Sequence, residues 1–282
     1  MTRSVPFISR ILIFPIKSLD PVEVTNARVL TSGALADDRC WALFDAQGRV
    51  VNGKNHAEIH RIRAGFDLDK RTVSLRDDSG RGLPTVLFNL DGTARPIEAW
   101  LSRFFGFPVH LRADTTTGHP DDTDSPGPTI ISVATLETIG IWFGLPVEQV
   151  RARFRTNIEI GGVPAFWEDA LFGGLGDEVE FHLGGTEWLG INPCQRCVVP
   201  SRDPLTGQRD NAFARRFAEY RRRTQPAWSN PARFNHFFRV AINTRSARTG
   251  VNTRIALNDI VTTYNNAAAC TALEENKRPA GF

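Results

Sequence analysis

Asn192-Pro193-Cys194-Gln195-Arg196-Cys197, followed by the turn-forming stretch Arg202-Asp203-Pro204-Leu205-Thr206-Gly207, is the most informative part of this chain. Two of the four cysteines stand three apart here, one directly after an arginine. A positive neighbour lowers a thiol's pKa and enriches the thiolate, the form that ligates metals and attacks electrophiles. Asp203 to Gly207 reads as a tight turn, because Pro and Gly supply the dihedrals a reversal needs. That turn brings Cys197 to the rim of a returning loop. Spacing alone leaves the pair open between a zinc site, a redox dithiol and inert thiols. Zinc needs four ligands, a redox pair is expected beside a βαβ unit, and Cys40 and Cys270 have no matching spacing. His56 and His60 are four apart but fall in a segment that reads as loop and strand.

Working outward, 282 residues make one large or two modest domains. An apolar share of 41%, with 10% aromatic, supports a substantial core. With 34 basic against 31 acidic residues, the net charge of +3 gives no reason to expect nucleic acid as a partner. The longest apolar run, Ile11 to Ile16, falls short of a membrane span, and no small-residue cleavage site follows it. Four cysteines do not make a disulfide framework, so a cytoplasmic compartment is expected.

Strand patterns fill the first ninety residues, with a turn at Lys17-Ser18-Leu19-Asp20-Pro21 and a hairpin signal at Asp45-Ala46-Gln47-Gly48. Helical spacing first appears at Ile97, Trp100, Leu101, Phe104 and Phe105. Asp114 to Pro128 is polar and punctuated by Gly and Pro, and reads as an exposed loop. Helices are expected over about 134–143, 146–154 and 212–223, the last with Phe213, Phe217 and Tyr220 on one face and its arginines elsewhere. Strands are expected at about 155–160, 178–182, 188–191, 237–243 and 253–263. The pattern is a β-rich α+β chain with a few helices and a loosely held tail.

Several constellations carry possible chemistry. Lys17-Ser18 at a strand end can bind a phosphate or another oxyanion, or be a solvated turn. Arg39, entering an apolar strand, can pair with Asp37 or Asp38, or fork onto a planar anionic ligand. Arg155, Thr156 and Asn157 can present donors to an anionic, nitrogen-rich ring, or bind only backbone and acids. Glu168-Asp169, read in a loop, can be a general acid pair or partners for arginines. The arginines of 215–223 form the one basic cluster; without stacking aromatics it reads as a solvated face or a contact for an acidic protein.

Taken in order, Phe14-Pro15-Ile16-Lys17-Ser18-Leu19, Asp38-Arg39-Cys40-Trp41, Arg155-Thr156-Asn157-Ile158, Glu168-Asp169, and Cys194-Gln195-Arg196-Cys197 with its following turn resemble the MOSC family over about residues 8–264. The resemblance implies an N-terminal MOSC β-barrel-like domain (1–95), a MOSC β-barrel domain (96–265) and a C-terminal tail (266–282). It also implies a molybdenum cofactor (Mo-molybdopterin) bound to one protein cysteine, which falls on Cys197, with Cys194 the non-ligand. Thiolate is a soft donor suited to such a metal. By the same resemblance Lys17, Ser18, Arg39, Arg155 and Asn157 hold the cofactor's phosphate and pterin, with Gln195 and Arg196 near the metal.

The implied activity is reduction of small N-hydroxylated compounds, as in the amidoxime-reducing relatives. Asp169 is expected to donate a proton or position substrate. No plant-type Cys-x4-Cys-x2-Cys run is present, so a separate electron-donor protein, ferredoxin-like or a reductase, is expected. No nucleic acid partner and no membrane span are expected. Two other readings stay within the resemblance: a sulfur carrier with a persulfide on Cys197, and a non-catalytic cofactor-binding protein. Where relatives have Gln-Arg this chain has Asn52-Gly53-Lys54, and their Gly-Asp near the C-terminus is Asn258-Asp259 here.

Overall fold

The apolar runs of the sequence become strands, eight of which form one large sheet in an order far from their order in the chain. A computed structural model describes residues 5–247 and 253–263. Its strands are β1 (Phe7–Ile13), β2 (Val22–Val24), β3 (Asn26–Arg28), β4 (Trp41–Asp45), β5 (Val50–Val51), β6 (Ile62–Asp67), β7 (Thr72–Asp77) and β8 (Val86–Asn89). After the helix α1 (Arg95–Phe105) come β9 (Val109–Ala113), β10 (Ile130–Ser132), α2 (Val133–Phe143), α3 (Val147–Phe154), β11 (Ile158–Gly161) and β12 (Val179–Leu183). The chain continues with β13 (Thr186–Gln195), α4 (Phe213–Arg223), β14 (Arg239–Ser246), β15 (Arg254–Ala256) and β16 (Val261–Thr263). The architecture is β-rich with four helices among the described residues, as expected. Cys270 and the expected tail 266–282 lie outside those residues.

Eight strands form the main sheet in the order β16-β12-β13-β14-β10-β11-β1-β2. β1 runs antiparallel to β11, with Ile8 opposite Ile160 and Ile11 opposite Ile158. Its Ile8, Ile11 and Ile13 pack with Ile130, Ile158, Phe181 and the fully buried Trp188 in one core. A second core joins Trp41 and Leu43 of β4, Val73 and Leu75 of β7, and the apolar face of α1. All five residues that marked α1 in the sequence are buried. Segments on both sides of residue 95 therefore share each core: β1 completes the large sheet, and α1 with β9 closes the smaller one. A third core gathers Leu136 and Ile139 of α2, Phe154 of α3, and Phe213 and Phe217 of α4.

Two local expectations change. The strand expected over 188–191 runs on to Gln195, through Pro193, by shifting register between Gly190 and Asn192 and again between Pro193 and Gln195. A proline cannot donate to the ladder, and irregular positions of this kind are where strands tolerate it. Glu168 and Asp169, expected in a loop, lie on a buried turn of 3-10 helix, Trp167–Leu171. Arg221, expected away from the apolar face of α4, is fully buried and ion-paired with Asp169, its guanidinium 4.2 Å from the Phe166 ring centroid.

Candidate functional site

Three chain crossings aim cationic side chains at one place. β1 ends at Ile13, and Ile16 then bridges to Trp41, which fixes Lys17 and Ser18 beside the entry to β4. Ser18, Arg39 and Arg155 have φ of 74°, 52° and 52°. Positive φ is uncommon for residues with a Cβ, and such strain collects at functional sites. Arg155 is also the C-cap of α3, a left-handed position that glycine usually fills. A glycine there would lack the side chain that this position delivers.

Lys17, Ser18, Arg39, Arg155, Asn157, Gln195, Arg196 and Cys197 all line a single cavity of about 900 Å³. The structure thus brings together eight of the nine expected site residues. Asp169 is not among the lining residues. It is 2% exposed and committed to Arg221.

The cations are unequally neutralised. Arg39 pairs with Asp38, whereas Arg155 reaches a neutral oxygen, the Leu19 carbonyl, at 2.6 Å. Their guanidiniums lie 5.2 and 4.4 Å from the Phe14 ring centroid. Burial, with Arg39 adding, draws the Arg155 pKa down to about 10. Asn157 is 1% exposed, and its amide is engaged: Nδ2 donates to the Leu12 carbonyl at 3.1 Å and to Asp38 at 3.0 Å, and Oδ1 accepts from Thr129 and Arg39. Asn157 therefore braces the site from beneath.

The two cysteines of the motif are free thiols with different surroundings. Cys194 closes β13 against the third core and accepts from Arg196 Nη1 at 3.1 Å. The other terminal nitrogen of Arg196 donates to the Phe154 carbonyl. Cys197 lines the cavity with no hydrogen bond to its thiol among the described residues. Cys40 is 3% exposed, and burial, with Asp37 adding, pushes its thiol up to about 11. Downstream, Asp203 Oδ1 accepts from the amides of Leu205 and Thr206 and closes the expected turn.

The stretch Asp114–Pro128 lies against the cavity, with Thr117, Pro120 and six residues of 121–127 on its wall. The Lys17 ammonium donates to the carbonyls of His119 and Pro120 at 2.8 and 3.2 Å and stands 2.9 Å from Asp121. Asp121 also meets Lys54 at 3.3 Å. Burial lowers the pKa of Lys17 against the pull of Asp121, and the two lysines hold the Asp121 carboxyl well below the usual range. Asn52, Gly53 and Lys54, the departure from the family pattern, also line the cavity, and the Gly53 amide donates to Ser18 Oγ at 3.2 Å.

Sequence reading missed His60 and Arg153. His60 lines the cavity, and burial, with Arg155 adding, keeps its imidazole neutral by drawing its pKa to about 4. Its only signal was the four-residue spacing from His56. Arg153 donates to the carbonyls of Pro200 and Arg202, clamping the loop after the cysteines. Among the described residues no three His, Cys, Asp or Glu side chains come together as a metal cluster.

Residues 5–108 match the MOSC N-terminal beta barrel domain. The MOSC resemblance read from the five motifs is borne out. Molybdenum cofactor sulfurase of Bos taurus is 23% identical over 262 residues, 77% of this chain and 29% of the relative. The Caenorhabditis elegans sulfurase is 26% identical over 77% of this chain and 32% of the relative. Mitochondrial amidoxime-reducing component 1 of Xenopus laevis is 25% identical over 73% of this chain and 68% of the relative. The chain thus spans about a third or less of the sulfurases it matches and about two thirds of the amidoxime-reducing component. No helix among the described residues is long and apolar enough to cross a membrane.

Proposed function

We propose that this MOSC protein is a molybdenum-cofactor oxidoreductase that reduces N-hydroxylated compounds. One observation carries the reading: an unengaged thiol, Cys197, shares a cavity with guanidiniums that no carboxylate neutralises. Burying uncompensated positive charge is unfavourable unless an anion completes it. The same wall leaves buried nitrogens idle: Arg153 Nε, Arg196 Nε and His60 Nε2 have no hydrogen-bond partner among the described residues. An anionic, planar, acceptor-rich pterin phosphate fits this donor set.

In that reading Cys197 is the protein ligand of the metal, and Arg39, Arg155 and Ser18 hold the phosphate and pterin. Lys17 joins them when Asp121 releases it. Gln195 and Arg196 flank the ligand, and Asn157 keeps Arg39 and Asp38 in place. A bound molybdenum cofactor would supply the two-electron, oxygen-accepting chemistry that loss of an N-hydroxyl oxygen requires. Such a reduction consumes two electrons and two protons and releases water. A separate donor protein provides the electrons. Asp169 has no part, because it is walled off with Arg221. We place the protein in the cytoplasm and keep the domain division near residue 95 as a division of the sequence, which the two shared cores cross.

The test is anaerobic reduction of benzamidoxime, with reduced methyl viologen as electron source, by protein from a host that makes the cofactor. Turnover in the wild type and its loss in Cys197→Ser is expected. Equal turnover and equal molybdenum in Cys197→Ser overturn the reading.

A second reading is favoured by the similarity to molybdenum cofactor sulfurases: Cys197 as the carrier of a persulfide. Cyanolysable sulfur on Cys197 in molybdenum-free protein would establish it.

A further inference from the structure

The cavity holds a second basic group besides the one around Lys17, Arg39 and Arg155. Arg233 ends the short 3-10 turn Pro231–Arg233, and Arg239 opens β14 directly opposite Gln195 in the β13 ladder. Both line the same cavity as Cys197.

Every oxygen these two guanidiniums reach is neutral. Arg233 donates to the carbonyls of Gly174 and Ile191, the latter at 3.0 Å. Arg239 donates to the Pro193 carbonyl at 3.0 Å, to Asn235 Oδ1 at 2.9 Å and to Gln195 Oε1 at 3.3 Å. Among the described residues neither has an ion-pair partner. The carboxylates of the cavity wall are engaged elsewhere: Asp38 with Arg39, Asp121 with Lys17 and Lys54, and Asp122 with Asn243.

Two like charges, half-buried and close enough that Arg233 helps burial hold the Arg239 pKa down, repel one another. The backbone of Ile191 and Pro193 nevertheless fixes both on the strand that ends in the cysteine motif. Guanidiniums pinned in advance, with further N–H groups free, are a preorganised fork for a carboxylate or phosphate. Their recessed, tethered setting suits a small anion better than a protein surface.

We propose that Arg233 and Arg239 form an anion subsite that selects substrates bearing a carboxylate or phosphate and holds them beside Cys197. This deepens the reductase reading and rests on it for the identity of the reacting group. It narrows the substrate class to anionic N-hydroxylated compounds.

The experiment is isothermal titration calorimetry of the cofactor-loaded protein with two probes, benzamidoxime and its para-carboxylate. Tighter binding of the carboxylate by about tenfold is expected, the scale of a charge-assisted fork. Arg233→Ala and Arg239→Ala should each erase that preference, while retained binding of the neutral probe reports an intact fold. Arg215→Ala, on the exposed face of α4, should preserve it. Equal affinities in the wild type overturn the proposal. So does a preference confined to cofactor-free protein when the extracted pterin carries a nucleotide, because the pair then serves the cofactor. Loss of preference with turnover intact refutes the subsite alone. A preserved preference without molybdenum or turnover supports the subsite and refutes the reductase reading alone.

Discussion

Arg196 turns its guanidinium back to Cys194, with Nη1 3.1 Å from that sulfur, and leaves the thiol of Cys197 without a hydrogen bond among the described residues. One arginine thus makes two cysteines of the same motif unequal. Cys194 is an acceptor packed on the core of Phe154, Phe213 and Phe217, while Cys197 lines the cavity with its sulfur uncommitted.

Thiol chemistry should report that inequality against the buried reference Cys40. With its pKa near 11, Cys40 is about 0.1% thiolate at pH 8, and the thiolate is the reactive form. Site-resolved alkylation with iodoacetamide, read by mass spectrometry on cofactor-free protein, should modify Cys197 at least tenfold faster than Cys40, whose thiol is both buried and held protonated. Equal rates would contradict the placement of Cys197 on an open wall.

Asp121 stands 2.9 Å from the Lys17 ammonium, which in the proposed reading meets the ligand phosphate. Removing its charge raises the positive potential there, an effect worth about 1 kcal/mol or less because the carboxylate is largely exposed and screened. Asp121→Asn should therefore bind inorganic phosphate several-fold more tightly at low salt, and the gain should shrink as salt rises. Weaker binding would show instead that Asp121 holds Lys17 in its working position.

Two buried groups give opposite pH slopes of stability. Burial, with Asp169 adding, raises the Glu168 pKa from its ordinary 4.5 to about 7. The folded chain keeps a proton that the unfolded chain releases, so this contribution is full below pH 4.5 and is lost as pH rises through 7. His60 is drawn from 6.5 to about 4, so its contribution is full above pH 6.5 and is lost as pH falls through 4. Thermal midpoints from pH 4 to 8 should show Glu168→Gln gaining on the wild type toward pH 8. His60→Gln should gain toward pH 4. Curves parallel to the wild type would sink both assignments.

Gly207 ties the turn after the cysteines to the segment that carries His60. Its φ is +73°, and a Cβ there would lie 2.2 Å from the Ala57 carbonyl oxygen. Gly207→Ala combines a strained dihedral with a backbone clash and should destabilise by about 3 kcal/mol, lowering the melting midpoint by roughly 6–12 °C. An unchanged midpoint would mean that the turn is not anchored there.

What the sequence made legible was local. The spacing of Ile97, Trp100, Leu101, Phe104 and Phe105 defined α1, and the Asp203–Gly207 turn was read from its residue types. The eight cavity residues came from ordered motifs rather than from any pattern of their own, since Lys17, Arg39, Arg155 and Cys197 meet only through sheet pairings such as β1 with β11. Asp169 misled because a carboxylate next to a motif looks the same in sequence whether it faces a cavity or a buried arginine. Asp114–Pro128 read as an exposed loop because its hold on the site is made by carbonyls and one carboxylate on Lys17, which leave no periodic trace. Arg233 and Arg239 escaped notice because each is a lone cation in sequence, and only their hydrogen bonds to the Ile191 and Pro193 carbonyls of β13 bring both to the cavity wall.

In the proposed reading, Cys197 alone among the protein's side chains binds the metal of a molybdenum cofactor. Elemental analysis for molybdenum, tungsten and zinc, paired with fluorescence of the oxidised pterin, tests it on wild type, Cys194→Ala and Cys197→Ala from a cofactor-making host. Near-stoichiometric molybdenum and pterin in wild type and Cys194→Ala, with molybdenum lost in Cys197→Ala, is the predicted result. Zinc in place of molybdenum, or molybdenum retained without Cys197, would contradict the account.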